Sequence, residues 1–202
     1  KTKLQKQADV SSSVIKKWVE RNVFVLEERE IDRISTYSGD INPLPSLSSH
    51  QTGAYQEIRD ALVKRNPVLL HGVTGSGKTE IYVHLINEAL KAGQQALFLV
   101  PEIALTTQLI VRLQKFFGNS VKVYHSRFNS SERTETWLKI LDDKEGSLIV
   151  GPRSAIFLPF KNLGLIIVDE EHEASYKQQD PAPRYHARDV ALWMAAQKKI
   201  PI

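Results

Sequence analysis

The chain's densest chemistry lies in the stretch Gly72-Val-Thr-Gly-Ser-Gly-Lys78-Thr79. Its glycines, lysine and threonine fill every fixed position of the pattern G-x-x-x-x-G-K-[ST]. Glycine-rich backbone can wrap closely around an anion and point its N–H groups inward. A helix starting directly afterwards adds its own unpaired N–H groups and its dipole. Such a loop holds a polyphosphate, here lined by Gly72, Val73, Thr74, Gly75, Ser76, Gly77, Lys78 and Thr79. Lys78 is placed to reach the β- and γ-phosphates, and the Thr79 hydroxyl to ligate Mg²⁺.

A second cluster suits the same chemistry. Leu165-Ile-Ile-Val168 is a short apolar run that reads as a buried parallel strand, and it ends in Asp169-Glu170-Glu171-His172. Acids at the carboxyl end of such a strand lie where open α/β sheets bind ligands. Asp169 is placed to hold Mg²⁺ through water, and Glu170 to orient and deprotonate an attacking water. Two such acids suit hydrolysis of a γ-phosphate, where positioning and charge neutralisation supply most of the catalysis. Taken alone, the acids also read as an ordinary helix start favoured by the dipole.

These groups need elements to position them. Residues 67–71 read as a short buried strand before the loop, and residues 79–90 as an amphipathic helix after it. Upstream, Ser48 or Ser49 caps a helix to about Arg65, which Asn66-Pro67 ends. Strands follow at 96–100, 121–124, 147–150 and 165–168, with a helix over 103–117. Asn129 and Glu132 form a capping-box pattern before another helix. Residues 199–202 read as the entry to a further buried strand. Strands alternating with helices imply a parallel sheet covered on both faces.

Before this domain, Ser11, Ser12 or Ser13 caps a helix to about Arg21, and 23–34 are extended in character. Residues 35–49 are rich in Ser, Pro and Gly, and 36–46 read as a linker. Composition sets further bounds. Of 202 residues 42% are hydrophobic, enough for a core, and there is no cysteine, which excludes a disulfide framework and a Cys-ligated zinc site. No apolar run approaches the ~20 residues that cross a membrane. The formal charge of +4 is carried wholly by residues 1–21. A basic patch of this kind is compatible with nucleic acid and equally with a solvated tail.

Three further segments fall at strand ends on the side of the phosphate loop: 101–108, 124–127 and 151–154. Each places hydroxyls, amides or a guanidinium at a turn or helix start, which suits nucleic-acid phosphates. Singly, they also read as helix caps at Thr106 or Ser154 and a surface Arg153.

Taken together, the order and spacing resemble the first motor lobe of superfamily 2 helicases. Residues 72–82, 100–106, 151–157, 168–172, 175–179 and 184–189 resemble the replication-restart branch of that superfamily, which assembles primosomes in bacteria. The resemblance implies a RecA-like P-loop NTPase lobe over 47–202, of α/β class with a parallel sheet. It implies a partial winged-helix segment over 1–35. It further implies ATP-driven 3′→5′ unwinding at abandoned forks, with ATP and Mg²⁺ as cofactors. Forked and single-stranded DNA, primosome proteins and single-strand-binding protein would be its partners. The setting would be the bacterial cytoplasm, near the nucleoid, with no membrane.

By the same resemblance Gln51 senses adenine and His172 links the ATP site to the DNA track. Thr106, Arg153 and Ser154 contact single-stranded DNA, with Arg153 touching a phosphate. Residues 176–188 match an aromatic-rich loop that couples DNA binding to hydrolysis. Tyr176, Lys177, Arg184, Tyr185, His186 and Arg188 offer it stacking faces and cations, although Tyr185 and His186 also read as anchors of the loop on the sheet. Asp180-Pro-Ala-Pro183 stands where a Trp can occur, so coupling rests on Tyr185 and the charged residues. The expectation is also that the chain is a fragment. The second motor lobe with its ATP-completing arginine, the zinc-binding cysteines and the domain that binds DNA 3′ ends would lie outside it. Such a fragment would bind nucleotide weakly without turning it over. Two other readings are a P-loop ATPase or kinase acting on a non-DNA substrate, and a non-catalytic DNA-binding module.

Overall fold

The structure is a computed structural model of the chain. It describes residues 13–14, 17–18, 21, 23, 37–73, 75–102, 104, 107–125 and 128–202. The chain divides into two units, Lys1–Ser35 and Thr36–Ile202. In the first, residues 13–14 and 17–18 are helical. The N–H groups of Arg21 and Val23 donate to the carbonyls of Lys17 and Trp18, at 3.0 and 2.9 Å. The winged-helix reading of 1–35 otherwise lies outside the described residues.

The second unit opens with helix α1 (Ser49–Val63). Ser48 caps it with a full capping box: its hydroxyl accepts from Gln51 N–H, and Gln51 Oε1 accepts from Ser48 N–H at 2.8 Å. Then come α2 (Lys78–Lys91), β1 (Gln95–Leu99), α3 (Thr107–Phe117), β2 (Val121–Val123), α4 (Ser130–Leu141), β3 (Leu148–Gly151), β4 (Leu163–Val168) and α5 (Ala187–Lys198). The expected capping box at Asn129 and Glu132 starts α4. The strands form one parallel sheet in the order β2-β3-β1-β4.

Alternation along the strands divides the core in two. Leu97 is in register with Ile149 and Ile166, and these three side chains face α4, α5 and Tyr176. Phe98 is in register with Val150 and Ile167, and these face α1, α2 and α3. Both faces of the sheet are therefore covered, as a parallel sheet requires. Truncating Leu97 to alanine would open a cavity against two strands and cost about 2–5 kcal/mol.

At the amino edge of the sheet, Gln95 is buried but fully engaged. Its Nε2 donates to Ile140 O (2.9 Å) and Asp143 Oδ2 (3.3 Å), and its Oε1 accepts from Lys161 N–H (2.9 Å) and Asn162 N–H (3.2 Å). The Pro-rich stretch before α1 is strapped to the domain. Asn42 N–H donates to Lys115 O at 2.6 Å, His84 Nε2 lies 2.8 Å from Pro45 O, and Leu44 and Leu47 pack on the core.

Residues 67–71 correct the sequence reading. They form no strand, and Pro67, Leu69 and His71 are exposed. A strand needs a run of paired residues; this stretch is joined to the chain's last residue through Val68 N–H, which donates to Ile202 O at 3.0 Å, while Pro201 O accepts from Ile166 N–H at 2.9 Å. An apolar cavity of about 550 Å³ lies between Val68–Leu70 and Leu165–Ile167, and it opens toward Lys78 and Asp169.

Candidate active site

Because the strands are parallel, all four carboxyl ends meet at one edge. The ladder continues past them: Tyr124 N–H donates to Val150 O (2.8 Å), Val100 N–H to Gly151 O (3.0 Å) and Asp169 N–H to Leu99 O (2.9 Å). Gly151 allows this convergence, since a Cβ there would lie 2.7 Å from Ala155 Cβ and 3.0 Å from Tyr124 O.

The phosphate loop leads into α2 at the same edge. Gly77 is its N-cap, at φ +85°, and no side chain caps the helix. Glu80 N–H donates to Gly77 O at 3.1 Å, and the helix start before it is left open to an anion. A Cβ at Gly77 would come within 2.1 Å of Gln51 Nε2, so only glycine suits both the angle and the contact. Gly72, Val73, Gly75, Ser76, Lys78 and Thr79 surround this start; Thr74 lies outside the described residues.

Lys78 Nζ donates to Gly72 O at 2.7 Å and lies 3.8 Å from Glu170 Oε1. The predicted lysine and the predicted water-activating acid are thus neighbours across the site. Asp169 stands beside them. Burial, and then the Glu170 charge, raise its pKa above the usual carboxylate value, opposed by the Glu170 N–H, Lys78 and Tyr82. A cation at this carboxylate would offset that cost. Glu170 itself adopts φ +47°, a left-handed angle that a non-glycine residue holds at a cost of about 1–3 kcal/mol. Strain of this kind concentrates where side-chain direction matters.

Sequence patterns single out neither Tyr82 nor Glu80. The Tyr82 hydroxyl lies 3.5 Å from Asp169 Oδ1, at the outer limit of hydrogen bonding. Burial, with Asp169 next, holds its phenol well above the ordinary value, so it stays a donor. Glu80 bridges Gln51 and Arg112, at 3.1 and 2.7 Å. On the apolar period of α2, Tyr82 reads as core and Glu80 as a favourable first-turn acid.

The expected DNA-side residues fall into three groups. Thr106 lies outside the described residues, as do Ser126 and Arg127. Tyr176 is 1% exposed and cannot offer a stacking face, which corrects that part of the sequence reading. Its ring packs with the Leu97 face of the sheet, because the short 3₁₀ turn Ala174–Tyr176 folds back under β1 and β4. Its hydroxyl instead reaches Asp169 O at 2.7 Å and Leu99 O at 3.0 Å.

Arg153 starts the 3₁₀ turn Arg153–Phe157, next to Ser154. Its Nη1 donates to Ser175 O (3.0 Å) and Lys177 O (3.4 Å), so it props the aromatic-rich loop. Arg188 turns toward the acids, with Nη1 2.8 Å from Glu171 Oε2 and Nε 3.1 Å from Asp189 Oδ1. His172 is exposed, with Nε2 3.7 Å from Glu170 Oε2.

The aromatic-rich loop closes on itself. Lys177 and His186 form an antiparallel bridge, Gln178 N–H donates to Tyr185 O, and Lys177 Nζ donates to Arg184 O. Tyr185 packs edge-on against Phe157, with centroids 4.8 Å apart, and Phe157 remains half exposed.

Comparison with known proteins agrees with this geometry. Residues 48–200 match the DEAD/DEAH box helicase family. The chain is 44% identical to replication restart protein PriA of Bacillus subtilis (strain 168) over 205 residues, covering 98% of this chain and 25% of that protein. It is 44% identical to PriA of Synechocystis sp. over 200 residues, covering 98% and 24%. PriA of Chlamydia pneumoniae is 54% identical over 126 residues, covering 61% and 16%. The chain thus spans about a quarter of the length of the first two relatives. Among solved structures it resembles RecG bound to a three-way DNA junction, with a TM-score of 0.55 and 25% identity, over 81% of this chain and 20% of that one. The parallel α/β sheet is accordingly a RecA-like lobe, and the chain belongs to the DEAD/DEAH box helicase family, with PriA replication restart proteins among its relatives.

Proposed function

We propose that this lobe binds ATP and Mg²⁺ for a DNA-stimulated ATPase that drives 3′→5′ unwinding at replication forks during restart. One observation carries the reading. Lys78, Asp169 and Glu170 meet at a sheet edge where Tyr176, rooted in the aromatic-rich loop, bonds to the backbone of Asp169 itself.

The residues present fit the nucleotide and its metal. The uncapped start of α2 and the Gly77 cradle suit phosphate oxygens. Asp169 and the Thr79 hydroxyl suit Mg²⁺, which commonly takes one or two carboxylates together with substrate phosphates. Among the described residues no three His, Asp or Glu side chains converge, and such a site does not need them. When bound, Mg²⁺ neutralises charge on the phosphates. Lys78 supplies a further cation to the transferred group. Glu170 orients the attacking water and accepts its proton. Gln51 reads the base.

On the DNA side, Tyr185 with Lys177 and Arg184 offers an aromatic face among cations, suited to single strands. Ser154 and Thr106 are assigned to the DNA backbone, while Arg153 holds the aromatic-rich loop through Ser175 O and Lys177 O. His172 and Arg188 connect the acids to this side. The relatives' names, together with the motif resemblance, support forked and single-stranded DNA as substrates. They also support primosome proteins and single-strand-binding protein as partners, and the bacterial cytoplasm and nucleoid as the setting. Zinc, in this reading, belongs to segments outside the present sequence. Among the described residues no helix is long and apolar enough to cross a membrane. The family match weighs against a kinase or other P-loop enzyme acting on a non-DNA substrate.

Lys78→Ala in the full-length protein tests the reading. Unwinding should be abolished while fork binding is largely kept. Equal loss of both would make the lysine structural and remove the ATP-driven account.

A further inference from the structure

Gln51 is committed on three sides. Its Oε1 accepts from Ser48 N–H at 2.8 Å, which fixes the oxygen end of the amide. Nε2 therefore has two hydrogens to give, and both are given: to Gly77 O at 3.2 Å and to Glu80 Oε2 at 3.1 Å. The other Glu80 oxygen, Oε1, lies 2.7 Å from Arg112 Nη2 on α3. One carboxylate is thus shared between the amide expected to read the base and a guanidinium on a neighbouring helix.

Reading a ring-nitrogen acceptor on a base needs an amide hydrogen, and none is spare while Glu80 holds one. The bond to Gly77 ties the amide to the phosphate-loop backbone. The bond to Glu80 is the one a side chain can release, because Arg112 offers its carboxylate another, charge-assisted partner.

We propose that Glu80 is a specificity-determining residue that competes with the adenine base for Gln51, and that Arg112 weakens this competition by holding the carboxylate. The proposal rests on the ATP reading of the site. It predicts opposite signs for two neighbouring substitutions. Glu80→Ala frees an amide hydrogen and favours adenine. Arg112→Ala leaves the carboxylate to Gln51 and disfavours it. Loss of a mere structural brace would move both in the same direction. Removing a negative charge near the triphosphate strengthens ATP and GTP alike, so that effect cancels in their ratio.

The test is titration of the 202-residue chain with mant-ATP and mant-GTP, with thermal melts as a control for folding. Glu80→Ala should raise the ATP-over-GTP preference about 3- to 10-fold, the worth of one hydrogen bond. Glu80→Gln, which keeps a weaker neutral acceptor, should raise it less. Arg112→Ala should lower the preference. In a Gln51→Ala background the preference should vanish and Glu80→Ala should leave the ratio unchanged. Shifts of the same sign for Glu80→Ala and Arg112→Ala, or an effect of Glu80→Ala that persists without Gln51, would overturn the competition while leaving the ATP site standing. A wild-type chain that binds both nucleotides equally would remove Gln51 as the base reader, and the proposal with it. Binding indifferent to Lys78→Ala would instead bring down the underlying ATP reading.

Discussion

The Tyr176 hydroxyl lies 2.7 Å from the carbonyl oxygen of Asp169. The same hydroxyl lies 3.0 Å from Leu99 O, at the end of the adjacent strand. A buried ring in the first turn of the aromatic-rich loop is therefore fastened to the backbone of the acid proposed to hold Mg²⁺. Tyr176→Phe keeps the ring and removes this tie. In the full-length protein, the ratio of DNA-stimulated to basal ATP turnover should fall several-fold. The melting temperature should fall by an amount matching about 1 kcal/mol. An unchanged ratio with the same stability loss would leave Tyr176 a packing residue only.

Glu170 lies 3.8 Å from Lys78 at a left-handed backbone angle. Glu170→Gln keeps size and hydrogen bonding but cannot take a proton. Turnover in the full-length protein should drop about 10²- to 10⁴-fold, the usual worth of a general base. Nucleotide should stay bound, as seen by filter retention of labelled ATP. Near-normal turnover would take Glu170 out of the chemistry.

Arg153 spends Nη1 on the carbonyls of Ser175 and Lys177. As a prop for the loop, its replacement by alanine should weaken single-strand binding but change the salt slope by less than about 0.7, the value for one phosphate contact on a single strand. Binding titrations across a salt series decide this. A full step of that size would assign Arg153 to a phosphate.

At the opposite edge, Asp143 accepts from Ser147 Oγ (2.5 Å) and Gln95 Nε2 (3.3 Å), and lies 3.4 Å from Lys122 Nζ. Burial works against its charge, but Ser147, Lys122 and Gln95 outweigh burial and hold the carboxyl below its ordinary value. A lowered folded-state pKa stabilises the fold above the ordinary carboxylate range, and that stability is lost as pH falls through the lowered value. Asp143→Asn should therefore melt earlier at pH 7, by about 1–3 kcal/mol. The gap should close on acidification. A gap independent of pH would assign the effect to packing.

Much of this was legible in the residues. The phosphate loop, the acids at the end of β4 and the Asn129–Glu132 capping box carry their own spacing, and β1, β3 and β4 are short apolar runs bounded by turns; at α1 the sequence offers Ser48 or Ser49 as the cap, and the structure selects Ser48 with Gln51. What escaped depends on distant partners. Residues 67–71 have the same apolar run, but a strand needs a ladder, and local composition does not show one. Tyr176 beside Lys177 looks like a surface aromatic, yet a turn buries it under two strands. Arg153 and Arg188 find their carbonyl and carboxylate partners 17 to 24 positions away. Helix α5 escaped an apolar-period reading because its buried face is Ala187, Ala191 and Ala195.

The central claim is that ATP chemistry at Lys78, Asp169 and Glu170 is coupled to DNA through the loop at the same sheet edge. Its most direct test is ATP hydrolysis by the full-length protein, with and without forked DNA carrying a single-stranded gap. The account predicts strong stimulation by the fork, lost in Lys78→Ala. Hydrolysis at the same rate with and without DNA would keep the nucleotide site and contradict the motor.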